Sequence, residues 1–298
     1  MDNQESEVMF IEKIPYLVSI WWLRIIISFG ALLFISVYFD AELINGKSLV
    51  LCYVTIFIIL FLIELCRRNG NLDTFGLSFR RLSLKEIMTG IVLFTVGAAL
   101  IIIAAMLFGA EVNWIYFFPK VITPYDIIVD FLKIGIFEIF IVGVIFRGIE
   151  QRVSGVIALI VTTTFIFLIL MMTTQITTPY RTSLVEVNYA LAIFVSCFMY
   201  LITRSLWLPI IFNLLCFWFQ GSAFNNMLPE AQFLVFPVED YKFRWLFIGR
   251  EGIVGGLSTT FIFILILAIL PKITKVSPYA AAALFKQQYA ESEARGII

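Results

Sequence analysis

The feature that most limits what this chain can fold into is a succession of eight apolar runs, each close to the length a helix needs to cross a bilayer and each bounded by charge, proline or glycine. A transmembrane helix takes about 20 mostly apolar residues. The runs cover residues 16–38, 48–65, 87–108, 124–146, 155–172, 185–202, 207–224 and 252–270. They predict an all-α, polytopic integral membrane bundle of about eight transmembrane helices. Composition agrees. Of 298 residues, 61% are hydrophobic and 14% charged, where a soluble domain holds about 45–50% and about 25%.

Charge sets the expected orientation. With both termini on one side, thirteen Lys and Arg flank the runs on that side against six on the other. The positive-inside rule then places both termini in the cytoplasm. The first thirteen residues hold four acids and one lysine, the opposite of a signal-peptide start, so no cleavable signal is expected. Twenty-one basic residues balance twenty-one acidic ones, which gives no basic patch for a nucleic acid. Histidine is absent, and with it imidazole acid/base chemistry and His-ligated metal sites. No cofactor and no metal are expected. Cys52, Cys66, Cys197 and Cys216 stand singly in or beside apolar runs and read as small apolar residues.

Ionisable groups inside a bilayer are functional candidates by default, at about 2.5–3.5 kcal/mol each on insertion scales. The fourth run holds most of them. Asp126, Asp130 and Lys133 follow i, i+4, i+7 spacing on one helix face, and at about 100° per residue Glu138 lies about 120° round from Asp126. Asp130 and Lys133 can neutralise each other at i, i+3. Glu138 has no basic residue within four positions, so it requires a partner from another helix, or the neutral acid. Ser83-Leu84-Lys85-Glu86 has capping-box form and predicts the start of the third helix. Gly252 and Gly256 have the small-xxx-small spacing of a close helix contact, internal or with another protein. The 28-residue loop 225–252 is rich in aromatics, and either offers a binding surface or folds over the mouth of the bundle. Residues 279–295 read either as a short interfacial helix or as a solvated tail.

Several segments together resemble the bacterial CPBP family, relatives of the CAAX prenyl endopeptidases. Phe75-Gly76-Leu77, Ser83 to Glu86 and Gly90 look like the family's lead-in. FEIFIVGVIFRGIEQR, residues 137–152, is similar to its first motif region, and SLWLPIIFNLLCFWFQG, residues 205–221, to its third. Glu251-Gly252 resembles the closing segment. The resemblance implies three divisions: 1–74 with two transmembrane helices, a six-helix CAAX-protease-like core at 75–270, and a cytoplasmic tail at 271–298.

Carried over position by position, the resemblance implies an inactive member. Active relatives use two adjacent glutamates, an arginine, two histidines and an asparagine. The matching positions here are Phe137, Glu138, Val142, Leu170, Asn213 and Phe217. Only Glu138 keeps its type. A second register pairs Phe146-Arg147-Gly148 with the family's FRG and puts Val142 and Gly143 at the glutamate pair. Water is a poor nucleophile without a base to take its proton and fixed donors for the oxyanion. The apolar replacements supply neither and are expected to fill the former site. No catalytic residue is therefore expected, and Asp126, Asp130, Lys133, Glu138 and Asn213 form a candidate intramembrane polar network, with Asn213 as the expected partner of Glu138. The implied role is a scaffold, chaperone or regulatory subunit, a pseudoprotease that holds another membrane or envelope protein in a bacterial cytoplasmic membrane. Two rival functions stand beside it: a divergent peptidase built on Glu138, and a bacteriocin-immunity or ion-pathway protein.

Overall fold

The computed structural model describes residues 76–77, 81–113, 124–150, 153–177, 183–223, 234–235, 244–247 and 256–275. The apolar runs at 16–38 and 48–65, the charged start and the tail from 279 lie outside the described residues.

Six long helical segments fall on the remaining six runs. They are α1 (Arg81–Leu107), α2 (Pro124–Glu138), α4 (Gly155–Thr177), α5 (Ser183–Thr203), α6 (Trp207–Ala223) and α8 (Leu257–Thr274). Helix α2 passes directly into a π-helical stretch, Ile139–Phe146, and then into the single turn α3 (Arg147–Glu150). Three segments, Leu84–Leu107, Leu184–Thr203 and Leu257–Thr274, are long and apolar enough to cross a membrane; Gly155–Leu168 and Trp207–Phe219 are apolar but shorter. The described part is mostly helical and suggests a membrane protein.

The local sequence explains the ends. Helix α1 stops in a Schellman motif: Gly109 takes a left-handed φ of 89°, Ala110 N–H donates to Ala105 O at 3.0 Å and Gly109 N–H to Met106 O at 3.1 Å. Only glycine enters that conformation without steric cost. Ala105 and Ala110, the residues such a motif brings together, are both buried. At its other end α1 begins two residues before the expected cap at Ser83. The capping-box residues therefore lie inside the helix and do not define its start.

Helix α5 is the hub, packed against α4, α6, α8 and the π stretch, while α1 lies along α6. Gly90 faces the Leu208 backbone and Gly97 faces Ile262, so α1 approaches both α6 and α8 closely. The main core gathers Val142, Phe146, Met199, Tyr200, Leu208 and Phe212, all at 2% exposure or less.

Two short strands depart from a purely helical expectation. β1 (Glu111–Val112) pairs antiparallel with β2 (Leu234–Val235), Glu111 opposite Val235 and Val112 opposite Leu234. After it, α7 (Arg244–Phe247) buries Phe247 against Ile101, Ala105 and Phe219. The described parts of the long loop therefore fold back over the end of the bundle, where pairing satisfies backbone groups that would otherwise be left without partners. Gly256 explains one glycine of the small-residue pair, since a Cβ there would overlap the Phe247 backbone. The contact it permits is internal.

Candidate functional site

The polar centre of the bundle forms where α2, α5 and α6 meet. Glu138, the last residue of α2, is 3% exposed. Asn213 of α6 donates from Nδ2 to Glu138 Oε1 at 2.6 Å and to Ser196 Oγ at 2.6 Å. Ser196 of α5 directs its hydroxyl to Ala192 O at 3.0 Å and lies 3.5 Å from Glu138 Oε1. Glu138 Oε2 is buried without a hydrogen-bond partner. The structure thus brings Glu138 and Asn213 together from positions 75 residues apart and adds Ser196, which the sequence argument did not single out. A single serine in the apolar run 185–202 was the available signal, but serine in a membrane helix usually returns its hydrogen bond to its own backbone.

The other expected positions divide. Val142 is fully buried and Phe137 packs against the main core. Phe217 departs from that expectation. It is 44% exposed, so it lies on the outer face of α6 and fills nothing. Leu170 lies on α4, and Asp126 and Lys133 on α2, but their side chains fall outside the described residues. An Asp130–Lys133 pair therefore falls outside them too. Asp130 accepts a hydrogen bond from Trp218 Nε1 at 3.3 Å, which ties α2 to α6.

A second buried carboxylate was not expected. Glu150 is 1% exposed, and Arg204 Nη1 donates to both of its oxygens, at 2.9 and 2.7 Å. Arg204 terminates α5 with a φ of 59°, a left-handed conformation that few non-glycine residues adopt. Its guanidinium carbon lies 6.0 Å from the Tyr200 ring centroid, and Tyr200 meets Phe146 edge-on at 6.1 Å. Ahead of this turn, Gly76 accepts from Leu206 N–H at 3.0 Å. With a φ of 77° and the Arg204 carbonyl 2.7 Å from where a Cβ would stand, only glycine fits at 76. Arg204 was counted in the sequence only as a charge on the cytoplasmic side.

The π winding explains how both carboxylates reach one hairpin. At about 100° per residue, an unbroken α-helix would set positions 138 and 150 about 120° apart round the axis. Residues bonded i→i+5 turn roughly 80–90° each, and eight of them bring the two positions to within about 40°. Glu138 and Glu150 then both face the α5–α6 hairpin, one at its centre and one at its turn. A third polar tie joins α5 to α8: fully buried Asn188 donates to Gly256 O at 3.1 Å and accepts from Thr260 Oγ1 at 2.6 Å.

Chemically, the centre has one carboxylate, one amide and one hydroxyl whose proton is committed to a backbone carbonyl. Among the described residues no three Cys, Asp or Glu side chains converge as metal ligands. Cys197 is buried and Cys216 partly so, and both are free thiols. No family model, no curated protein and no solved structure matches the chain.

Proposed function

We propose that the chain is a multi-pass membrane protein of about eight passes, with both termini in the cytoplasm of a bacterium, whose CPBP-like core has lost peptidase chemistry and works by holding another integral membrane or envelope protein. One observation carries this reading. Glu138, the single motif group kept in type, is 3% exposed and joined to Asn213, which also binds Ser196, where three helices meet. A carboxylate so placed serves as a polar tie between helices. Among the described residues it has no neighbouring charge to sharpen it as a base, and fully buried Val142 stands at the position of the family's arginine. The one feature that favours a divergent peptidase instead is the unpartnered Glu138 Oε2.

The test is purification of the full chain from native membranes in mild detergent, with identification of what remains bound. A stoichiometric membrane or envelope partner is the expected result. A chain that emerges alone and, reconstituted, moves ions or hydrolyses peptide defeats the scaffold reading.

A further inference from the structure

Away from the polar centre, α1, α7 and α8 enclose a cavity of about 350 Å³ whose walls include Leu100, Ala104, Phe108, Phe247, Ser258 and Phe261. Cavities that bind small molecules measure about 300–1,000 Å³ and combine apolar walls with a few placed polar groups. Among the described residues the walls are apolar except at Ser258, whose hydroxyl is buried and has no hydrogen-bond partner. We propose that the cavity binds one acyl chain of a bilayer glycerophospholipid, with Ser258 Oγ donating to that chain's ester carbonyl.

Where the cavity opens decides what fills it. Its two long walls are membrane-crossing segments by length and composition, with only 28% and 22% of their apolar windows buried. The rim residues Leu100, Phe108 and Phe261 are 42%, 43% and 65% exposed, so the cavity opens onto the same apolar outer face. Among the described residues, water entering it would find at most one hydroxyl, fewer than the two to four partners an ordered water requires. Left empty, the walls would lose their dispersion contacts. A neighbouring helix, about 10–12 Å across with its side chains, is too wide to enter. A single hydrocarbon chain is thin enough.

The depth of Ser258 selects the class of chain. It is the second residue of α8, and Phe108 directly follows the last residue of α1. Both therefore stand at the ends of their spans, where the apolar core gives way to the headgroup region and where glycerol ester carbonyls lie. From Phe108 to Leu100 the cavity follows α1 inward for about 12 Å at 1.5 Å per residue, the direction an acyl chain takes. The carbonyl supplies the acceptor that the Ser258 hydroxyl lacks, and an unpaired buried hydroxyl is costly.

This inference rests on the membrane part of the proposed function and not on the loss of catalysis. The full chain is reconstituted in phosphatidylglycerol–phosphatidylethanolamine vesicles doped with a phospholipid that carries a diazirine on one acyl chain, in ester-linked and ether-linked forms. After irradiation, peptides containing Phe108 or Phe261 are expected to be labelled several-fold more than the peptide containing Phe165, a comparably exposed residue of α4 at 41%. Ala104→Phe, which fills the cavity, removes that excess and spares the Phe165 peptide. Ser258→Ala lowers labelling by the ester lipid about two- to tenfold, the factor one hydrogen bond supplies, and leaves the ether lipid unchanged. Equal labelling of both sites, no ester–ether difference, or capture of another polypeptide at Phe261 overturns the lipid site while leaving the membrane reading intact. A chain that fails to enter the vesicles overturns both.

Discussion

Helix α5 and the pair α1 and α8 are built from similarly apolar sequence, yet 72% of the α5 window is buried inside the protein against 28% and 22% for the other two. What separates them is where polar atoms sit. Asn188, Ser196 and Arg204 fall on α5 or at its end, and each reaches a different neighbour: α8, the α2–α6 contact, and α3. Along α1, Thr89 and Thr95 return their hydroxyls to Lys85 O and Ile91 O of their own helix. In a bilayer, apolar side chains gain little by choosing a helix over lipid, so packing and interhelical hydrogen bonds decide which helices associate. Among the described residues α5 carries three such ties, one of them shared with Thr260 of α8.

That contrast can be broken by substitution, and the largest effect belongs to the ion pair. Arg204→Ala leaves a 1% exposed carboxylate at Glu150 without its cation, and denaturation in detergent is expected to register a loss of about 3 kcal/mol. Arg204→Lys should recover only part of it, because a compact ammonium lacks the planar fork. Next comes Gly76→Ala, which forces a side chain into a left-handed backbone against the Arg204 carbonyl. The expected cost is about 2 kcal/mol, read in the same unfolding experiment. Glu138→Leu strands Asn213 and should cost about 1–2 kcal/mol, while Glu138→Gln keeps an acceptor for the amide and should cost under about 1 kcal/mol. Equal losses in the two variants would remove Asn213 from the account. Smallest are Val96→Ala on α1 and Ile264→Ala on α8, 52% and 53% exposed. Each should shift stability by no more than about 0.5 kcal/mol, and a loss as large as that of Glu138→Leu would mean these faces are covered by protein.

Helix positions were legible from the sequence because a bilayer-length apolar run has few other uses. Six runs overlap the six long helical segments, with ends that differ by up to about six residues and with the fourth divided between α2 and the π stretch. Glu138 was legible for the same reason, as a carboxylate with no local partner. The winding that follows it was not. Ile139 to Phe146 is an unbroken apolar stretch, and nothing in its residue types tells i→i+4 from i→i+5 bonding. Wound at about 100° per residue, the same stretch would turn Glu150 away from the hairpin it meets. Arg204 was hidden differently, since it is 54 residues from Glu150 and its backbone conformation follows from the turn it closes. Phe217 shows the limit of carrying motif positions across: its place in the pattern implied the interior, and its place on α6 gives it to the outer face.

The central claim is that Glu138 holds helices together and does not activate water. Peptide hydrolysis by the purified full chain, against prenylated and leader-type peptides and beside Glu138→Gln, tests it most directly. The account predicts that both proteins release product no faster than buffer. Turnover by the unaltered chain that Glu138→Gln abolishes, with both proteins equally folded, would contradict it.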